Sequence, residues 1–524
     1  MKKKIAIIGS GFASLAAACY LAKEGHEVEI FEKNAEIGGR ARQLKKDGFC
    51  FDIGPTWYWM PDVFERFFAD FGKKPSDYYE LKKLDPAYKV FFGKDESITI
   101  GDSLEKICAA FEAEESGSSK KLKQFIEEAK NNYDIAIKDL VYRPGVSPME
   151  LVTPTTARKI GQFFSTISKE VRKEFDNQKL IQILEFPVLF LGAKASNTPA
   201  FYSFMNYADF GLGTWHPNGG MYKVIEGMES LARSLGVQIH TNSPVLEIYV
   251  EQDTATGMLV KNQESRDKSV RDVPIAIGTE KRLKNTGKPK DIKPTGGNKK
   301  ITADYILSGA DYHHTETLLP EHKRQYKESY WQKKTFAPSA LLFFVGFNKK
   351  IEQVSHHTLF FDTDFEAHAK AIYDDAKWPE DPLFYASFPS VTDASVAPEN
   401  KEAGIFLIPL APDVEDTPAL REKYFQKIIT RFEKLTRQNV TDQILFKESF
   451  CVKDFKEEYN SYKGNAYGLA NTLLQTAFLR PKLKSKKVHR LFFAGQLSVP
   501  GPGVPPSLIS GKLAAGLIQK EMKL

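Results

Sequence analysis

Residues 5–41 read IAIIGSGFASLAAACYLAKEGHEVEIFEKNAEIGGRA, and the fold turns on this stretch. The aliphatic run from Ile5 to Ile8 predicts a buried strand, Ser14 to Glu24 a small-residue helix, and Glu27 to Phe31 a second strand. Gly9 and Gly11 stand between the first strand and the helix. The first permits a tight turn. The second lets a pyrophosphate approach the backbone at the helix N-terminus, where unpaired N–H groups favour an anion. The third position of the pattern is Ser14, where Gly or Ala is usual for close packing, and serine is small enough to fit. Glu32 closes the second strand, 23 residues after Gly9, where a carboxylate accepts hydrogen bonds from ribose hydroxyls. Strand, glycine turn, helix, strand and acid together predict a Rossmann-like dinucleotide site.

At 524 residues the chain holds two or three domains' worth of core, and no obvious linker divides it. Its 42% apolar and 27% charged residues are those of an ordinary soluble protein. The longest apolar run, ILEFPVLFLGA at 183–193, is too short to span a bilayer and contains Pro187. MKKKIAIIG imitates a signal peptide only until the glycine turn, so a cytoplasmic location is expected. Cys19, Cys50, Cys108 and Cys451 lie far apart with no CxxC, which suggests neither a disulfide framework nor a zinc site. The histidines show no metal-ligand spacing either. The adjacent pairs His313-His314 and His356-His357 are expected on opposite sides of an extended chain.

The formal charge of +6 is uneven. Residues 261–300 hold 12 Lys/Arg against 5 Asp/Glu, so the rest of the chain is about neutral. This segment is rich in Gly and Pro and poor in large apolar residues, which reads as an exposed insertion. It is a solvated loop or a patch for anionic lipid headgroups. Nucleic acid is disfavoured, because no aromatics interleave with the basic residues to stack on bases.

Beyond the acid comes EIGGRARQLKKDGFCFDIGPTW, with Gly38-Gly39-Arg40 and then Gly54-Pro55-Thr56. An arginine in such a turn neutralises phosphate bidentately, which lysine does less well. This run resembles the glutathione-reductase-like FAD proteins of the amine oxidase and carotenoid desaturase group. Three later blocks carry the same resemblance: NSPVLEIYVEQDTATGMLV (242–260), ITADYILSGADYHHT (301–315) and RLFFAGQLSVPGPGVPPSLISGKLAAGLI (490–518). It implies FAD held by Gly9, Gly11, Phe12, Ala13, Ser14, Glu32, Lys33, Gly39, Arg40, Gly54, Pro55 and Thr56. Val245 would lie against the adenine, with Ala310, Asp311, Gly495, Gln496, Val504 and Pro505 completing the set. A last helix starting near Pro505 would aim its N-terminus at the flavin.

The order and wording of the blocks are most similar to the bacterial-type phytoene desaturases, over nearly the whole chain except 261–300. The implied fold class is α/β. A Rossmann-like FAD-binding domain, built from 1–100, 216–320 and 456–524, would interweave with a substrate domain. That domain would comprise a helical, membrane-facing region (101–215) and a mixed sheet (321–455). The implied activity is FAD-dependent dehydrogenation of phytoene, giving lycopene, on a hydrophobic polyene drawn from the membrane surface by a peripheral, monotopic protein. Alternatives are another carotenoid step such as 3,4-desaturation or isomerisation, a flavin amine or porphyrinogen oxidase, and a non-catalytic lipid-binding relative.

Independently of the resemblance, residues 160–215 carry 11 aromatics from Phe163 to Trp215, and Phe and Tyr number 59 in all. That supplies an apolar tunnel, although more than half of the eleven are expected in plain core. Polyene desaturation needs an acceptor for hydride and a base or water for the proton. Asp176, in a helical stretch where the family is credited with acids, and His216, in TWHPNGG, are the two candidates for the base. A solvated surface role is the stronger reading of Asp176.

Overall fold

Strands from distant parts of the chain assemble one parallel sheet, in the spatial order Leu491–Phe493, Tyr305–Ser308, Lys4–Ile8, Glu27–Phe31, Gln238–His240. The computed structural model describes residues 1–261 and 297–523. Chain order reverses between Lys4–Ile8 and Tyr305–Ser308. In an open α/β sheet a crevice opens at such a reversal, beyond the C-terminal strand ends. Gly9 and Gly309 occupy those two ends, and Gly309 N donates to Ile8 O at 2.9 Å.

The first helix spans Phe12–Lys23, two residues earlier than periodicity suggests. Gly11 caps it in an extended conformation (φ −73°, ψ 178°), so the helix starts directly after the second glycine. Leu15 to Cys19 are all completely buried, because the helix lies between the sheet and the C-terminal helix Val504–Met522. Small residues make this approach possible: a Cβ on Gly511 would lie 2.3 Å from Ala13 O.

A seven-stranded, mostly antiparallel sheet forms the second layer, in the order Ile444–Phe450, Ser339–Phe347, Glu402–Leu410, Phe384–Ser387, His357–Phe360, Tyr88–Gly93, Glu96–Ile100. Ser339–Phe347 is buried at all nine positions, which is why it reads as a continuous apolar run. Residues 1–100 therefore do not belong entirely to the nucleotide layer: Tyr88–Ile100 completes this other sheet. Helices Ser118–Lys138 and Phe204–Phe210 pack together at one side. The longer buries Leu122, Ile126, Ala129, Tyr133 and Ala136, one stripe at helical spacing.

Thr254–Lys261 and Asn298–Thr302 pair antiparallel, Lys261 opposite Asn298. The basic stretch between them lies outside the described residues. No helix among the described residues is long and apolar enough to cross a membrane. The histidine pairs differ from expectation. His313 and His314 lie in a short helix, Tyr312–Thr317, and the His356 and His357 rings stand 4.5 Å apart. His356 precedes the strand His357–Phe360, so strict alternation does not yet apply to it.

Candidate cofactor and substrate site

One continuous cavity of about 1130 Å³ starts at the sheet reversal and runs through the aromatic helical region to the surface. It exceeds the roughly 300–1,000 Å³ of a pocket for a single small ligand.

At the sheet end the wall is backbone and charge. A Cβ on Gly11 would meet nothing within 4 Å, so the helix N-terminus faces open space. Gly39 folds against it; a Cβ there would touch Gly11 Cα at 3.4 Å. The glycine of Gly54-Pro55-Thr56 is sterically required, since a Cβ would lie 2.0 Å from Arg40 O. Glu32 is buried at the end of its strand. Its Oε2 accepts from Ser10 N at 3.0 Å and Ser10 Oγ at 2.7 Å, and its Oε1 from Asn34 N at 2.9 Å. The acid therefore braces the glycine loop as well as facing the cavity. Arg40 donates from Nη2 to Ser461 Oγ at 3.1 Å, while its buried Nε has no partner. Burial depresses its pKa, and the facing Asp311 opposes that shift. Asp311 caps the helix Tyr312–Thr317 through Oδ1, and burial raises its pKa. The C-terminal helix enters from the opposite side, with Val504 and Pro505 in the wall.

A helix N-terminus left open by Gly11, an underpartnered guanidinium and a turn in which Gly54 has no room for a side chain suit a pyrophosphate, so FAD fits the residues present. All but one of the residues expected to hold it line the cavity: Gly9, Gly11, Phe12, Ala13, Glu32, Lys33, Gly39, Arg40, Gly54, Pro55, Thr56, Val245, Ala310, Asp311, Gly495, Gln496, Val504 and Pro505. Ser14 is the exception. It is completely buried against Gly309, where a Cβ would lie 2.1 Å from its Oγ, so it serves helix–strand packing and does not reach the cavity.

Away from the sheet the wall turns aromatic. Of the eleven aromatics at 160–215, Phe163, Phe164, Phe186, Phe201, Tyr202 and Phe204 line the cavity. Phe175, Tyr207, Phe210 and Trp215 do not, and Phe190's side chain is outside the description. More of this set faces the cavity than the expectation of a mostly core role: six of the eleven line it. Phe163 and Phe201 stack with centroids 4.7 Å apart. At the surface, Phe164 and Leu474 are each 76% exposed, with Met149, Val152, Val146 and Leu479 also exposed nearby in sequence to lining residues.

Neither candidate base reaches this cavity. Asp176 is exposed, and its backbone N donates to Glu115 Oε2 at 3.2 Å. Its place between two short helices turns it to solvent. His216 is buried in the short strand Trp215–Pro217, with Nε2 2.9 Å from Asp393 Oδ2. Asp393 is held well below the usual carboxylate range by its hydrogen bonds to His216, Ser395 and Gly219, which outweigh burial. The groups missed by sequence reasoning are Trp57, His357 and Tyr385. Trp57 and Tyr385 line the cavity, and His357 stacks on Trp57 at 4.0 Å. Sequence separations of about 300 between Trp57 and His357 left no local signal. Among the described residues no cluster of His, Cys, Asp or Glu is arranged to hold a metal.

Residues 12–278 match the family of flavin-containing amine oxidoreductases. The chain is 38% identical to a carotenoid 3,4-desaturase of Haloarcula japonica, over 98% of this chain and 97% of that one. It is 30% identical to a 4,4′-diapophytoene desaturase of Staphylococcus aureus, over 99% of each. The fold matches a solved oxidoreductase of Methanosarcina mazei with a TM-score of 0.61 at 16% identity, over 100% of both chains.

Proposed function

The chain belongs to the flavin-containing amine oxidoreductases and, within them, to the FAD-dependent carotenoid desaturases; from that premise we propose that it dehydrogenates a long acyclic polyene, phytoene being converted stepwise to lycopene. The observation that carries this reading is the single cavity, polar and glycine-lined at one end and aromatic to the surface at the other. Bound FAD supplies an acceptor for hydride. Around it, Arg40 and the N-terminus of helix Phe12–Lys23 would hold phosphate charge, and Asp311 balances Arg40. The aromatic wall keeps water from the polyene and offers ring faces to the positive charge that develops on carbon.

A second reading, 3,4-desaturation of a more oxidised carotenoid, is favoured by the higher identity to the Haloarcula relative. Expression in one bacterium that accumulates phytoene and another that accumulates lycopene decides between them. Lycopene in the first host supports the first reading. Change only in the second supports the other, and change in neither overturns the proposal.

Substrate of this kind resides in a bilayer, and exposed Phe164 and Leu474 at the cavity mouth support a surface-docking role. The docked face is the mouth and not the nucleotide end.

A further inference from the structure

Hydride and proton leave neighbouring carbons, so the proton acceptor must stand within a few ångströms of the flavin and also face the polyene. Ionisable groups of the wall sort by place. Glu32, Lys33, Arg40, Asp311, Tyr312, His314, Glu458 and Tyr459 lie at the nucleotide end, and Arg143 and Glu150 at the mouth. His368, Tyr373, Tyr385 and Tyr467 lie between. His368 is committed at both nitrogens: Leu383 N donates to its Nδ1 at 2.9 Å, and its Nε2 donates to Pro409 O at 3.0 Å. A phenol accepts a proton only when a second base takes its own. Among the described residues, Tyr373 and Tyr467 have no imidazole or carboxylate hydrogen-bonded behind them, and Tyr202, which also lines the cavity, pairs with the hydroxyl of Thr476.

Tyr385 does. Its Oη is 2.8 Å from Thr56 Oγ1, on the turn proposed to hold the flavin, and 2.7 Å from His357 Nδ1. His357 is fully buried, and its Nε2 has no partner. A buried unpaired ring nitrogen destabilises a fold, so packing alone does not account for it. Its ring lies 10° from parallel to Trp57, a face suited to a cation.

We infer that Tyr385 is the proton acceptor of the desaturation, with His357 as the positioning residue that takes the phenol's own proton. This rests on the carotenoid desaturase reading. In the step, the substrate C–H bond next to the carbon that loses hydride breaks, and its electron pair becomes the new π bond. The proton goes to Tyr385 Oη as the phenol proton moves to His357 Nδ1. The hydride, with its two electrons, would be taken up by FAD, the oxidant of the family. Thr56 donates to the phenol oxygen throughout. The imidazolium formed faces the rings of Trp57, Tyr385 and His356. Burial, with His216 nearby, lowers the pKa of His357, so it is neutral at rest and holds the transferred proton only transiently.

The test uses flavin-loaded protein mixed anaerobically with liposomes carrying whichever polyene the expression hosts identify, following bleaching of the flavin band. Tyr385→Phe and His357→Gln are each expected to slow bleaching about 100-fold or more, with flavin content and half-saturating polyene unchanged and the melting temperature lowered only as far as the loss of a buried hydrogen bond requires. A 3-fluorotyrosine placed at 385 changes the phenol's acidity with almost no change of shape, and the bleaching rate should change with it. As a readout independent of turnover, spectra of ¹⁵N-histidine protein should show His357 Nδ1 unprotonated and shifted by Tyr385→Phe. Wild-type bleaching with Tyr385→Phe equally fast overturns the inference, as does a protonated Nδ1. If Tyr385→Phe loses flavin or unfolds, the fluorotyrosine protein decides, and an unaltered rate overturns the inference. Wild-type protein that bleaches with no polyene overturns the desaturase reading itself.

Discussion

The nucleotide end and the hydrocarbon end of the cavity are built on opposite principles. At the first, every surface is a fixed backbone or a braced charge: Gly54 leaves no room for a methyl group, and Glu32 is tied by three hydrogen bonds. At the second, rings such as Phe163 and Phe201 pack against each other but leave space between themselves and the next wall. Recognition of a charged ligand needs directed donors at set positions. Recognition of a hydrocarbon needs only apolar area and width. Single changes at the two ends should therefore differ in both size and kind.

The largest effect is expected at Gly54→Ala. Its methyl group would meet the Arg40 carbonyl, so either the turn moves or the strand behind it does. Overpacking of this sort costs about 1–3 kcal/mol, and the displaced turn should lose FAD almost completely; flavin absorbance after gel filtration measures it. Full retention would show that the nucleotide end tolerates movement as the other end does. Next comes Glu32→Ala, with loss of about 1.5–3 kcal/mol of flavin affinity, roughly 10- to 100-fold in Kd. Because the same carboxylate holds Ser10, thermal stability should fall as well. Titration of apoprotein with FAD gives the first quantity and calorimetry the second.

Phe201→Ala should behave differently. The side chain borders existing empty space, so its cost should fall below the roughly 3–5 kcal/mol of a packed core phenylalanine. Flavin affinity should stay constant while the half-saturating polyene concentration and product spread change. Equal losses of flavin and substrate binding would erase the contrast between the ends. The smallest change in stability, within about 0.5 kcal/mol, is expected for Phe164→Ser at the exposed mouth. Co-sedimentation with liposomes should nevertheless weaken, and binding equal to wild type would place the membrane contact elsewhere.

The same contrast explains what could be read in advance. Gly9, Gly11, Glu32 and Arg40 sit within 32 residues of one another, and the chemistry of a phosphate turn constrains their types and spacing. Periodicity also located the first strand and helix to within two residues. The third glycine-pattern position illustrates the limit: smallness at Ser14 was legible, but its direction, into Gly309 and away from the cavity, needed the packed helix. At the hydrocarbon end, Phe175 and Phe201 look alike in sequence, yet one is core and the other wall. Trp57, His357 and Tyr385 meet only because strand His357–Phe360 pairs with Phe384–Ser387, placing His357 opposite Ser387, beside the turn that carries Thr56. No local pattern encodes such a meeting. Asp176 is exposed, as the stronger reading of its polar helical stretch had it, whereas nothing in TWHPNGG told that His216 is buried away from the cavity.

The strand order has a consequence for synthesis. The site begins with Gly9 and is closed by a helix whose first residue is Val504, packed through Gly511 onto Ala13. At about 5–20 residues per second a ribosome takes roughly 25–100 s to make the intervening chain. During that interval the glycine loop lacks the part of the wall formed by Gly495, Gln496, Val504 and Pro505, so the nascent protein is expected to hold FAD less firmly than the finished one. Firm capture of the cofactor thus reports that translation has passed the start of the helix Val504–Met522, and a chain stalled short of residue 504 should be released with less flavin than the full chain.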